Sequence, residues 1–265
     1  MNIFMHELKA YRKSTIVWTL ALLSLMVLFM AIFPTISKEA DEFKRVLEGF
    51  PMGVQQALGI QVDSFASIIG YYSYVFMYIS LCGAIQAMTV GTAIISKETR
   101  EKTADFLLTK PIQRSTILMA KISAAAVSLL LTSMVFLGGA RIIVASVTTN
   151  QFSIRTFLLL TISLFFIQLI FLAIGILVSV CFSKIKSVLM ISLGTVFTFY
   201  IIGILTSSSE DEIKRFLSPF TYFEPNYIVA NTSYEIPFLL VGSGIVVIAI
   251  LSSFFIYMKK DIHSV

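Results

Sequence analysis

An all-α fold of six membrane-spanning helices is what this sequence predicts, and three observations predict it. Of 265 residues, 57% are hydrophobic and only 13% charged, with a mean hydropathy of +0.89, so polar groups are too few to cover the apolar surface in water. The apolar residues come as unbroken blocks, not as the stripes of half-buried elements. Six blocks, at 15–33, 64–96, 122–140, 156–183, 187–209 and 236–258, are free of charge and long enough to span, since a span takes about 20 residues at about 1.5 Å each. The alternating segments of a β-barrel are absent. The chain is therefore expected to form a single transmembrane domain over 1–265.

The first 13 residues set Ile3, Phe4, Leu8 and Tyr11 against His6, Lys9, Arg12 and Lys13. That is the pattern of an interfacial helix over 1–13, lying in the headgroup plane before the chain turns into a first span at 15–33. This span is longer than the apolar core of a signal peptide and lacks a small-x-small exit, so it reads as retained. After it, Ala40, Phe43, Val46 and Leu47 form an amphipathic run that breaks at Gly49, Pro51 and Gly53.

The second span, 68–95, opens on Tyr71, Tyr72, Tyr74 and Tyr78, which suit an interface. It continues through Gly83, Ala87 and Gly91 at four-residue spacing, the small-residue pattern of close helix contact. The third, 117–140, carries Ala124, Ala125, Ala126, Gly138 and Gly139 to the same effect. The fourth, fifth and sixth are expected at 156–182, 187–207 and 237–258. The segment before the last is too aromatic for a solvated linker and is punctuated by Pro219, Pro225 and Pro237, which fits partial embedding at one membrane face. Cys82 and Cys181 both fall inside apolar runs and read as small apolar fillers.

Six spans put both termini on one side, and charge chooses the side. With the N-terminus inside, Lys9, Arg12, Lys13, six basic residues of 95–121, Lys184, Lys186, Lys259 and Lys260 lie inside, which is 13 of the 20 Lys and Arg. The positive-inside rule then makes both termini cytoplasmic, in a multi-pass protein of the cell membrane. The pI of about 9.1 reflects that topology and not nucleic-acid binding.

Chemistry is scarce. The phosphate-loop pattern, HExxH, GxSxG and CxxC do not occur, and the two histidines, His6 and His263, lie near opposite ends. No catalytic residue, metal ligand or resident cofactor is expected, and the chain reads as a non-enzyme. Gln86 and Gln168 are the deepest polar side chains in the spans. They suit either an interhelical hydrogen bond or contact with a substrate along a pathway.

The stretch from 95 to 121 packs six basic and three acidic residues between two apolar runs. As a helix, 96–108 pairs Glu98 with Lys102 and Lys97 with Glu101 at i,i+4. Phe106, Leu107 and Leu108 then interrupt the polar pattern. Lys110 before Pro111 is pushed out of the helical region, and Ser115 can cap the helix that follows. Charge alone fits an ordinary inner loop, but an apolar knob rimmed by charge is what a docking helix presents to a groove on a soluble partner.

KETREKTADFLLTKPIQRSTILMAK in this stretch resembles the segment between the second and third spans of ABC-2 type ABC transporter permeases, E-x-x-x-G-T-x-x-x-L-L-x-x-P-[IV]-[ST]-R ending in Lys. The likeness extends through FPMGVQQALGI, SIIGYYSY and LSPFTYFEP to essentially the whole chain. Lys102 stands where the family commonly has Gly, and Gln113 where it has Ser or Thr, both within the contact segment. The resemblance implies a type V exporter-like permease that works with a second copy or a sister permease and binds a separate ABC ATPase subunit, on which ATP and magnesium reside. By the same analogy 97–115 is the cytoplasmic coupling segment, with Glu98, Arg100, Glu101, Thr103, Phe106, Leu107, Leu108 and Pro111 seated in the ATPase. The uncharged interior suits export of a hydrophobic or amphipathic peptide, antibiotic, drug or lipid. The alternative is a non-transporting scaffold or sensor that recruits a cytoplasmic partner through the same segment.

Overall fold

The structure is a computed structural model that describes residues 3–51, 54, 67–101, 113–147, 152–182, 185–207 and 212–259. The chain folds into helices α1 (Ile3–Met30), α2 (Phe33–Lys38), α3 (Ala40–Glu48), α4 (Ile68–Glu101), α5 (Arg114–Val147), α6 (Ile154–Cys181) and α7 (Val188–Ser207). Then follow α8 (Glu212–Arg215), a 3₁₀ turn (Pro219–Thr221), α9 (Pro225–Asn231) and α10 (Ile236–Lys259). Among the described residues six helices are long and apolar enough to cross a membrane: the one that α1 begins, α4 to α7, and α10. The protein is an all-α, multi-pass membrane protein.

Helix α1 departs from expectation. The break between an interfacial helix over 1–13 and a span from 15 does not exist, because one helix runs from Ile3 to Met30. Thr15 and Thr19 open the apolar run and donate to Tyr11 O and Thr15 O, so the helix is bridged where a turn was expected. Its 28 residues extend about 42 Å, more than the roughly 30 Å of hydrocarbon to be crossed. Helix α2 then restarts the chain with Pro34 in its first turn, where a missing N–H costs nothing. Ser153 caps α6 by accepting the Thr156 N–H at 3.3 Å.

The spans pair in parallel. Along α1 and α5, Glu7 meets Lys121, Thr15 meets Ser128 and Thr19 meets Thr132, at separations of 114, 113 and 113 residues. Along α4 and α6, Tyr72 meets Thr161, Gln86 meets Gln168 and Ser96 meets Ser179, at separations of 89, 82 and 83. The two pairs run antiparallel to each other. Helices α7 and α10 pack outside, on α4 and α6 respectively. The centre is α4 and α6, whose apolar windows are 67% and 61% buried, against 17% for α7 and α10.

Lipid explains what faces outward and what faces inward. Leu28, Met134, Met190, Leu205, Ile248 and Leu251 are exposed, an apolar surface that water would not tolerate. Between helices lipid supplies no hydrophobic drive, so contact rests on close packing and hydrogen bonds. Small residues therefore mark the closest approaches. A Cβ on Gly83 would strike Leu164 Cδ1 at 2.5 Å, and Gly139 leaves room for the Leu23 side chain.

The aromatic segment before α10 folds onto the bundle. Phe223 stacks on Phe166 at 5.6 Å and Phe220 lies 5.1 Å from Phe171. Ser218 Oγ donates to Phe199 O at 2.7 Å, and Tyr234 Oη donates to Leu159 O at 2.6 Å. Gly203 on α7 makes room for the Ser218 hydroxyl, where a Cβ would come to 3.0 Å.

Candidate functional site

Helix α4 connects three places where polar chemistry gathers. Its last turn carries Glu98, Arg100 and Glu101 on a helix that continues past the apolar run as far as Glu101. Thr103, Phe106, Leu107, Leu108 and Pro111 lie outside the described residues. On α5, Lys121 Nζ meets Glu7 Oε1 of α1 at 2.8 Å, with Lys121 only 4% exposed. A lysine that sequence reading counts as a loop charge is thus held between α1 and α5, where its ammonium is paired.

The middle of α4 enters a buried chain of hydrogen bonds. Ser133 Oγ donates to Gln168 Oε1 at 2.8 Å, and Gln168 Nε2 donates to Gln86 Oε1 at 3.1 Å. Gln86 Nε2 donates to Thr132 Oγ1 at 3.0 Å, and Thr132 donates to Ser128 O at 3.3 Å. The two candidate glutamines are therefore brought together, each no more than 1% exposed, and they tie α4, α5 and α6 into one unit. Every link satisfies a polar atom that lipid could not.

Between this chain and the last turn, α4 crosses α6 at Gly91 and Gly175. Just beyond, Ser179 Oγ accepts the N–H groups of Ile95 and Ser96 at 3.1 and 3.2 Å. Among the described residues Thr89 Oγ1 and Thr92 Oγ1 are buried without a hydrogen-bond partner. Orphaned hydroxyls are uncommon in a native interior and here concentrate on one stretch of one helix.

The opposite end of α4 lines a partly open cavity of about 90 Å³, shared with α6, α7 and the segment before α10. Glu224 is its carboxylate. Behind Glu224, the Arg215 guanidinium forms a fork with Glu235, at 2.5 and 3.2 Å, and comes within 3.0 Å of Glu224 Oε2. The guanidinium also rests 4.5 Å from the centre of the Phe238 ring. Burial pushes the Glu224 carboxyl above its usual range; Arg215 opposes that rise and Glu235 adds to it.

Sequence reading missed Lys121 with Glu7, and Arg215 with Glu224 and Glu235. All five charges are visible in the chain, but their meeting depends on how helices and loop fold together. Arg141 stands six residues before the end of α5 with its guanidinium 5.2 Å from the Phe152 ring centre. The two cysteines are free thiols, Cys82 half-buried and Cys181 exposed at the end of α6. Among the described residues no group of His, Cys, Asp or Glu could hold a metal ion.

Residues 1–262 match the family described as ABC-2 family transporter protein. The chain belongs to the ABC-2 transporter family. No relative among curated proteins matches it. The match takes in every described helix of this ABC-2 family member, so the buried glutamine chain, the α4–α6 crossing and the cavity near the start of α4 all lie within the family's own domain.

Proposed function

We propose that this chain is the permease subunit of an ATP-driven ABC transporter of the cell membrane, exporting a hydrophobic or amphipathic compound. A separate ATPase subunit, carrying ATP and magnesium, grips the coupling segment over 97–115, and a second copy or a sister permease completes the pathway. The observation that carries this reading is the continuity of α4 from Ile68 to Glu101, since one helix lines the outer cavity, enters the glutamine chain and runs into the coupling segment. A push on its cytoplasmic end reaches both places without an intervening hinge in the described residues. The unpartnered hydroxyls of Thr89 and Thr92 support the reading, because a helix with a second packing arrangement carries groups that find partners only there. Gln86 and Gln168 border the pathway in that second arrangement.

Co-expression with a cognate ABC ATPase, sought among the neighbouring genes, tests the proposal. Phe106→Asp together with Leu107→Asp should abolish co-purification of the ATPase and ATP-dependent transport, since charge in a buried docking knob leaves it unpaired. Intact binding and transport in that variant would refute the docking role. An ATPase that binds without any ATP-dependent flux would point to the recruiting scaffold instead.

A further inference from the structure

The cavity near the start of α4 has a chemistry of its own. Four aromatic rings, Phe76 of α4, Tyr200 of α7, and Phe220 and Phe223 of the segment before α10, form its walls. The serine and threonine hydroxyls along it are turned away to backbone carbonyls: Ser73 donates to Gly70 O, Ser80 to Met77 O, and Thr221 to Arg215 O. Among the described lining residues Glu224 is the one carboxylate, and no lysine or arginine stands among them. Arg215 pairs with Glu235 through its fork and with Glu224 through one nitrogen, so among these three groups one negative charge is in surplus when both carboxylates are ionised. The Glu224 side chain is 34% exposed, so part of the carboxylate remains accessible.

We propose that this cavity is a binding site for small organic ammonium ions that carry an aromatic or short alkyl body. Aromatic faces and a surplus carboxylate select the same sign of charge, while the apolar walls accept the body of the ligand. A neutral isostere gains only the wall contacts, and an anion meets repulsion. As a statement about cargo the site rests on the transporter reading; as a statement about binding it does not.

The test uses three compounds of one size and different charge, 2-phenylethylammonium, 2-phenylethanol and phenylacetate, titrated calorimetrically into the full chain in nanodiscs against empty nanodiscs. The ammonium ion should bind about tenfold more tightly than the alcohol, and the carboxylate most weakly. Glu224→Gln keeps the shape of the side chain and should bring the ammonium ion and the alcohol to within about twofold, with alcohol binding unchanged. Glu224→Asp should retain the preference for the cation. Equal binding of the three compounds, or an undiminished cation preference in Glu224→Gln, would overturn the assignment. No ATPase enters the measurement, so its failure leaves the transporter reading standing, and a failure of ATP-driven transport leaves the site standing.

Discussion

Gly91 of α4 and Gly175 of α6 meet backbone to backbone. A Cβ on Gly91 would lie 2.5 Å from Leu172 O, and one on Gly175 would lie 2.8 Å from Met88 O and 3.0 Å from the Gly91 Cα. None of these three atoms is the end of a flexible side chain, so nothing can swing aside. The crossing sits between the buried glutamines and the C-terminal end of α4, and it sets how closely the two central helices approach.

Gly175→Ala should therefore force the helices apart and cost about 1–3 kcal/mol. Gly138→Ala is the internal comparison, because a Cβ there meets nothing within 4 Å and alanine favours a helix by up to about 1 kcal/mol. Thermal unfolding in detergent should show Gly175→Ala below the wild type and Gly138→Ala at or above it. Equal melting of the two variants would deny the crossing its role.

The glutamine chain should behave as a unit. Gln168→Leu removes the acceptor of Ser133 and the donor to Gln86, with an expected loss of about 1–2 kcal/mol. Gln86→Leu strips the same contact from the other side. A double-mutant cycle should give a combined loss smaller than the sum, since the second change removes a group already orphaned by the first. Strict additivity would mean that the two side chains do not share a bond.

Glu224 should make stability depend on pH with a definite sign. Its carboxyl is raised above the ordinary 4.5, chiefly by burial, so the folded protein holds that proton more tightly than the unfolded chain does. Its stabilising contribution is then full below the unfolded value and is lost as pH rises through the folded one. Glu224→Gln, which cannot titrate, lacks this component. On acidification from about pH 8 to about pH 4 the wild type should gain melting temperature relative to the variant. Parallel curves, or a relative loss on acidification, would contradict the burial of this carboxyl.

Much of the architecture could be read directly from the chain. The six apolar blocks became six long helices, and the spacing of Gly83, Ala87 and Gly91 marked the face of α4 that meets α6. The turn expected after residue 13 is absent, because an amphipathic start and an apolar continuation are both helical, and no glycine or proline stands between them to break the ladder. Glu98, Arg100 and Glu101, proposed as coupling residues, fall on the last turn of α4, and the other five proposed positions lie outside the described residues. Gln86 and Gln168 were conspicuous one by one. Nothing in their positions along the chain said that they would bond to each other.

The sequence by itself determined the class of protein, the number of spans and the side on which basic residues collect. These follow from length, hydropathy and charge, which add up locally along the chain. Only the tertiary structure decided which polar groups meet: Gln86 with Gln168, Lys121 with Glu7, and Arg215 with both Glu224 and Glu235. A helix that is apolar on every side does not declare which face turns inward. That rotation is chosen by packing against neighbours 82 to 114 residues away, where small side chains let helices close and buried hydroxyls and amides must find partners.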